Sequence, residues 1–357
     1  MDTVIDTVMD TSPRADQDLP FVSIVLPIRN ERASIEGCLA SIAAQEYPPE
    51  LMELLVVDGM STDGTRQIVK KVLNGKSSLS GRLLDNPKLV VPAGLNVGIL
   101  AARGSAIVRV DGHTILAPDY VRQGIDVLMK TGAKNVGGLM TPVGEGLVGE
   151  AIALAHNLRF GLGGGSFHLA TEETDADTVY MGIFRREVFD RVGLFDEDLI
   201  RNQDIELNGR IRSGGGRVVL SPRVRSIYHC RSSLGALWKQ NYANGKWLLR
   251  TWLKNHRALS VRHFVPLGFV LALGLAVLAC LLWPGGWPAL VLLVGAYALC
   301  SLAASIRAAS EHGWRYAAIL PAVFATLHVS YGAGSLAGIR GLWRGRGAKG
   351  SGGQAPR

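Results

Sequence analysis

A chain of 357 residues is longer than one ordinary core requires, so two or more regions are expected. Hydrophobic residues make up 48% of it and are concentrated locally, since no charged residue occurs from Phe264 to Ile306. The net charge of +8 is equally local, crowding before that run and after residue 339; this points to anionic lipid headgroups, and the lack of groove-reading or base-stacking elements argues against a nucleic-acid partner.

In chain order, residues 1–19 hold scattered Asp and no apolar core, so they read as a disordered leader and neither a signal peptide nor an anchor. The run from Phe21 to Ile28 is nearly continuous in β-branched residues, the mark of a strand buried on both faces. Glu31 to Gln45 has helical spacing, and Met52 to Val57 is a second buried strand ending in Asp58-Gly59. Ser61-Thr62-Asp63-Gly64 supplies cap residues for a helix through Val72. Lys88 to Val91 reads as a third strand, Leu95 to Arg103 as a helix and Ala106 to Val110 as a fourth strand. This alternation predicts a doubly wound sheet, in which ligands bind beyond the carboxyl ends of the strands. No GxGxxG follows the first strand, which disfavours a dinucleotide dehydrogenase.

Gly161 to Asp177 is Gly-rich and then acidic, without periodicity, and reads as a mobile loop over the site. Thr178 to Phe184 is a further strand, Gln203 to Arg212 a polar helix, and Arg217 to Leu220 a strand after a triple glycine. Leu234 to Arg257 is an amphipathic helix, with Lys239, Lys246, Arg250, Lys254 and Arg257 on one stripe and Trp238 and Trp252 opposite. The four cysteines show no metal-ligand spacing and read as packed thiols.

By residue type alone, Asp111 serves equally as a turn former or as a cation ligand with His113 two residues on. Asp58 is similarly open, between a turn and a base contact. Asp204 begins a polar helix, where it suits either the helix dipole or a general base. Arg201 and Arg210 are eligible phosphate or acceptor contacts, but no pattern selects them.

Six motifs in order, VSIVLPIRNE, VVDGMSTDGT, AGLNVGILAARG, VRVDGH, FRREVFDRVGLFDEDL and NQDIELNGRIRSGGG, carry a resemblance over roughly residues 20–255. The sequence resembles the inverting GT-A glycosyltransferases of family 2, and within them the bacterial exopolysaccharide glucosyltransferases of the succinoglycan type. The resemblance implies an α/β GT-A domain with a doubly wound mixed sheet, which moves a sugar from a nucleotide diphosphate to an acceptor with inversion. Pro27, Asn30 and Glu31 match the first nucleotide loop, Asp58 the base-recognising aspartate, and Asp111-Gly112-His113 the metal-binding DxD. Asp204 matches the catalytic carboxylate, Gln203 replaces the usual acidic residue before it, and His229 matches a late histidine able to ligate metal. His168, Gln203 and Gln240 are possible acceptor contacts. The second Asp of DxD is His113, which keeps a divalent cation, Mn2+ or Mg2+, and shifts preference somewhat toward Mn2+. The QxxRW motif of processive synthases is missing, which argues for adding one sugar per acceptor.

The expected organisation is a catalytic domain at 20–230, an interfacial helix at 231–263, a membrane region at 264–339 and a basic flexible tail at 340–357. Within the membrane region a hairpin at 265–306 turns at Pro284-Gly285-Gly286, and a third apolar segment lies at 316–339. The expected activity is transfer of a hexose, glucose from UDP-glucose, to a polyprenyl-diphosphate-linked saccharide, with the catalytic domain on the cytoplasmic face of a bacterial plasma membrane. A polyprenyl-phosphate sugar transferase and an inactive nucleotide-sugar-binding membrane module are the alternatives.

Overall fold

The computed structural model describes residues 19–75, 80–162 and 170–348. The N-terminal half runs β1 Val22–Ile28, α1 Ile35–Ala43, β2 Met52–Asp58, α2 Thr65–Leu73, β3 Ser80–Asp85, α3 Val91–Ala101 and β4 Ala106–Arg109. Then follow β5 Thr114–Leu116, α4 Tyr120–Thr131, β6 Asn135–Val143, α5 Gly146–His156, α6 Arg159–Leu162, β7 Thr174–Asp175, β8 Ile183–Arg185, α7 Glu187–Val192, α8 Gln203–Ser213 and β9 Val218–His229. The C-terminal helices are α9 Leu234–Gly245, α10 Leu248–Lys254, α11 Val265–Leu282, α12 Trp287–His312 and α13 Leu320–Ala348.

All strands join one sheet in the order β3-β2-β1-β4-β8-β6-β9-β5, with β7 added on β9. The first four are mutually parallel, β1 and β2 are buried along their whole length, and helices cover both faces. That is why these strands are continuous apolar runs rather than alternating ones. The register sets Ile28, Asp58 and Asp85 side by side, so the polar residues that follow collect at one edge.

Several elements differ from their sequence reading. Lys88 to Val91 is not a strand: β3 lies earlier, Leu89 has φ 65°, and Val91 opens α3 with Pro92 in its first turn. Tyr180 precedes the short β8 rather than lying within a strand over 178–184. The strand expected at 217–220 continues to His229, because beyond Ser221 its residues alternate between buried and exposed, with Arg223 and Arg225 on the open face. Of the loop expected at 161–177, residues 161–162 end α6, 174–175 form β7, and 163–169 lie outside the described residues.

The single amphipathic helix is two helices, α9 and α10, broken at Lys246-Trp247. Leu237 and Leu248 are buried in protein, whereas Trp238, Trp252 and Leu253 remain exposed. The basic stripe is divided too, since Lys254 pairs with Asp196 and Asp198 of the catalytic domain at 2.8 and 3.0 Å.

Among the described residues, three helices are long and apolar enough to cross a membrane: 261–282, 287–312 and 320–341. Their packing differs sharply, with 6% and 11% of the first two apolar windows buried in protein and 44% of the third. Helix α13 lies against α9 through glycines: a Cβ on Gly245 would meet the Tyr331 carbonyl at 2.1 Å, and one on Gly334 the Tyr242 carbonyl at 2.1 Å. Only small residues permit backbones this close. The tail expected to be flexible from 340 is helical through 348.

Candidate active site

The loops at the carboxyl ends of β1 and β2 are laced together. Asn30 takes φ 55°, which Asn tolerates better than most residues. Its N–H donates to Ser61 Oγ at 2.9 Å, and its Oδ1 accepts from the Thr62 N–H at 2.9 Å. The Glu31 N–H donates to Thr65 Oγ1 at 2.8 Å. Pro27 is buried within β1, so it shapes this edge from inside the sheet.

Asp58 is fully buried, and its carboxylate is already engaged. Oδ1 accepts from Ser61 N–H at 3.1 Å and Ser61 Oγ at 2.6 Å, while Oδ2 meets Arg66 Nη1 at 2.9 Å. Arg66 also reaches Asp85 at 2.6 Å, so one guanidinium closes the β2 and β3 ends. Asp58→Ala would leave two donors of Ser61 without their acceptor. The expected cost is about 1–3 kcal/mol, read as a lower melting temperature in detergent together with lost discrimination between UDP and other nucleoside diphosphates. An unchanged melting temperature and preference would remove Asp58 from the site.

Beyond β4, Asp111 and His113 share one short turn. Ser34 Oγ donates to the Gly112 carbonyl at 3.0 Å, tying this turn to the start of α1. The Asp111 carboxylate accepts from Arg109 Nε at 3.0 Å and from Arg109 Nη2 at 3.3 Å. Burial pushes Asp111 up, but Arg109 and His113 outweigh it and hold the carboxyl below its usual range. His113 Nδ1 lies 3.4 Å from Glu31 Oε1, and that hydrogen bond raises its pKa against the opposing effect of burial.

Arg109 is the residue that reading by motif overlooks. It is 5% exposed at the end of a buried strand, where an isolated charge is very costly. Burial works against its charge, yet Asp111 and Asp204 together hold its pKa above the ordinary value. One guanidinium therefore feels both the turn carboxylate and the carboxylate at the start of α8. An arginine within an otherwise apolar strand was the available signal.

Asp204 is half-buried in the first turn of α8, and its Oδ1 accepts the Ile205 N–H at 2.9 Å. Gln203 is buried, and its Oε1 has no hydrogen-bond partner. Glu206 is occupied by Arg210, which also donates to the carbonyls of Val192 and Leu194; Arg210 thus serves the α7–α8 junction.

The long β9 delivers the remaining candidates. Its pairing of Tyr228 with Thr114 sets His229 opposite His113. Both histidines line a cavity of about 480 Å³ with Ser34, Glu145, Cys230 and Ser232. Asp58, Asp111 and Asp204 do not line it, so this hollow adjoins the carboxylates rather than containing them. Gln240 comes from α9, where its Nε2 donates to Tyr228 Oη at 2.8 Å and its Oε1 accepts from Arg231 Nε at 3.1 Å. His168 lies outside the described residues.

Comparison with known proteins finds relatives of both the sequence and the fold. Residues 23–193 match the family model described as Glycosyl transferase family 2. The chain is 28% identical over 314 residues to the succinoglycan biosynthesis protein ExoA of Rhizobium meliloti (strain 1021), covering 87% of this chain and 92% of that one. It is also 28% identical over 231 residues, 63% of this chain and 72% of the other, to a dolichyl N-acetyl-alpha-D-glucosaminyl phosphate 3-beta-D-2,3-diacetamido-2,3-dideoxy-beta-D-glucuronosyltransferase of Methanococcus voltae. Among solved structures, the mannosyltransferase PcManGT from Pyrobaculum calidifontis, in complex with GDP-Man and Mn2+, shares the fold. Its TM-score is 0.59 at 19% identity, over 94% of this chain and 90% of that one. A mixed sheet of this order, with acidic residues at the ends of its parallel strands and the matching family model, makes residues 23–193 a glycosyl transferase family 2 domain in a glycosyltransferase of GT-A fold.

Proposed function

We propose that the protein transfers a hexose with inversion, glucose from UDP-glucose, onto a polyprenyl-diphosphate-linked saccharide at the cytoplasmic face of a bacterial plasma membrane, in extracellular polysaccharide biosynthesis. The observation that carries this reading is Arg109, whose guanidinium is bound by the Asp111 carboxylate at 3.0 Å and also feels the charge of Asp204. In this reading a donor-side carboxylate, Asp111, and a base-side carboxylate, Asp204, act on the same guanidinium. In this reading Asp204 takes the proton of the acceptor hydroxyl as that oxygen attacks the anomeric carbon. Pro27, Asn30, Glu31 and Asp58 shape the nucleotide side, and Gln203 and Gln240 face the acceptor side. The relative named for a dolichyl sugar phosphate supports a lipid-linked acceptor, and the one named for succinoglycan biosynthesis supports a polysaccharide product.

A divalent cation, Mn2+ or Mg2+, fits Asp111 and His113, with His229 a weaker third ligand. Among the described residues no group of three His, Cys, Asp or Glu side chains is gathered for a metal. A pair of protein ligands is the pattern expected where substrate phosphates complete the shell. Bound there, the cation would neutralise charge on the departing diphosphate. The chain's own part is to keep Asp111 ionised through Arg109 and to hold the Asp111–His113 turn through Ser34.

Membranes carrying the protein, given a panel of radiolabelled nucleotide sugars, should pass label from UDP-glucose into the lipid extract with release of UDP. No label in lipid and no UDP release from any donor would favour an inactive binding module instead.

The packing of α13 bears on topology. A segment with 44% of its apolar window buried in protein needs less lipid contact than the α11–α12 hairpin. A re-entrant or interfacial path for α13 keeps Arg340 and the residues after it cytoplasmic, in line with the positive-inside tendency. A single cysteine, Ser351→Cys with the four native cysteines replaced, should stay protected from a membrane-impermeant reagent until cells are opened. Strong labelling of intact cells would mean three full spans.

A further inference from the structure

Among the described residues, two arginines beside the site have no acidic partner. Arg201 precedes α8 and Arg231 follows β9, and both act electrostatically where Tyr228 lies or on its neighbours. Burial, then the nearby charge of Arg231, pulls the Arg201 pKa below its ordinary value, partly offset by Tyr228. The charge of Arg231 also reaches His113, whose ring meets Tyr228 edge to face at 6.1 Å. Yet neither guanidinium lies within ion-pair distance of a carboxylate among the described residues, whereas Arg66, Arg82, Arg103, Arg109, Arg210 and Arg262 all do.

What holds the pair is neutral. Arg201 Nη1 donates to Asn244 Oδ1 at 2.6 Å, and Arg231 Nε donates to Gln240 Oε1 at 3.1 Å. Each guanidinium has five N–H groups, so amide anchors orient the forks without neutralising them and leave most donors unclaimed. Placing like charges together, one of them half-buried, is unfavourable in the free protein. A doubly charged or larger anion relieves that repulsion, and guanidinium forks match phosphate oxygens in geometry.

Position narrows the ligand. Arg201 lies three residues before Asp204, and Asn244 and Gln240 are both on α9, the helix packed against α13. The pair therefore stands between the carboxylate that begins α8 and the apolar helices. We propose that Arg201 and Arg231, oriented by Asn244 and Gln240, form a binding site for the diphosphate of the lipid-linked acceptor. This rests on the lipid-acceptor reading above and assigns it a phosphate subsite. The same chemistry could serve the diphosphate of the nucleotide sugar, and the test separates the two sources.

The test uses the full-length protein in detergent micelles or nanodiscs, with Arg201→Gln, Arg231→Gln, both Arg→Lys variants, and Arg223→Gln as a control on the open face of β9. Binding of decaprenyl diphosphate, decaprenyl phosphate and uncharged decaprenol is measured directly, alongside the affinity for UDP. Each Gln variant should bind decaprenyl diphosphate about tenfold or more weakly, with UDP affinity and decaprenol binding unchanged and the Lys variants intermediate. Removing one of two repelling charges should leave the melting temperature equal or higher, which a purely structural arginine would not. Weakened UDP binding with unchanged decaprenyl diphosphate binding would overturn the assignment in favour of the donor. Unchanged binding of both, or a lowered melting temperature as the sole effect, would overturn it outright. Arginine-dependent binding of decaprenyl diphosphate by a protein that transfers no sugar would leave this site standing and remove the proposed activity.

Discussion

Asp204→Asn is expected to lower kcat by about 10²–10⁴ with little change in nucleotide affinity. The substitution keeps the side-chain shape and an Oδ1 able to accept from the Ile205 N–H, so the first turn of α8 should survive. What it removes is a base for the acceptor hydroxyl and one of the two negative charges that act on Arg109. A hydroxyl acceptor needs that base, whereas a phosphate acceptor is already ionised. Near-normal turnover in the Asn variant would therefore move the reaction to the polyprenyl-phosphate class. A matching fall in UDP affinity would instead show that the change acts through Arg109 on the donor side.

Asp111→Ala is expected to remove the cation-dependent part of UDP affinity and to lower kcat by about 10²–10³ or more, the scale for losing one electrostatic stabiliser. Excess chelator should reproduce the loss in the wild-type protein and have no further effect on the variant. Full activity in chelator would overturn the metal reading. The same variant leaves Arg109, almost wholly buried, without its bidentate acceptor. Removing one member of a buried pair is costly, about 3–5 kcal/mol, although Asp204 still offsets part of the charge. The two effects can be separated. Arg109→Gln combined with Asp111→Asn should recover much of the melting temperature, since no unpaired charge remains, but none of the activity. Recovery of both would make the pair structural only.

The parts of this protein fixed by local pattern were legible from the residues alone. β1, β2 and β4 are apolar runs because strands buried on both faces admit little else, and Asp58 and Asp111 announce themselves by ending or following such runs. The α8 helix with its acidic first turn, and the two apolar segments joined at Pro284-Gly285-Gly286, follow from composition over short windows. Tertiary structure decided the rest. The edge strand β3 has no apolar run to mark it, and the outer half of β9 alternates because one side is open, so neither has the buried-strand signature. The apolar face of α9 meets α13 rather than lipid alone, a choice made by Gly245 on α9 together with Gly334 far along the chain on α13. The electrostatic influence of Asp204 on Arg109, and of Arg231 on Arg201, joins charges distant in sequence. Periodicity reports which residues are buried, but which charges face one another depends on how the strands and helices pack, and no spacing along the chain encodes it.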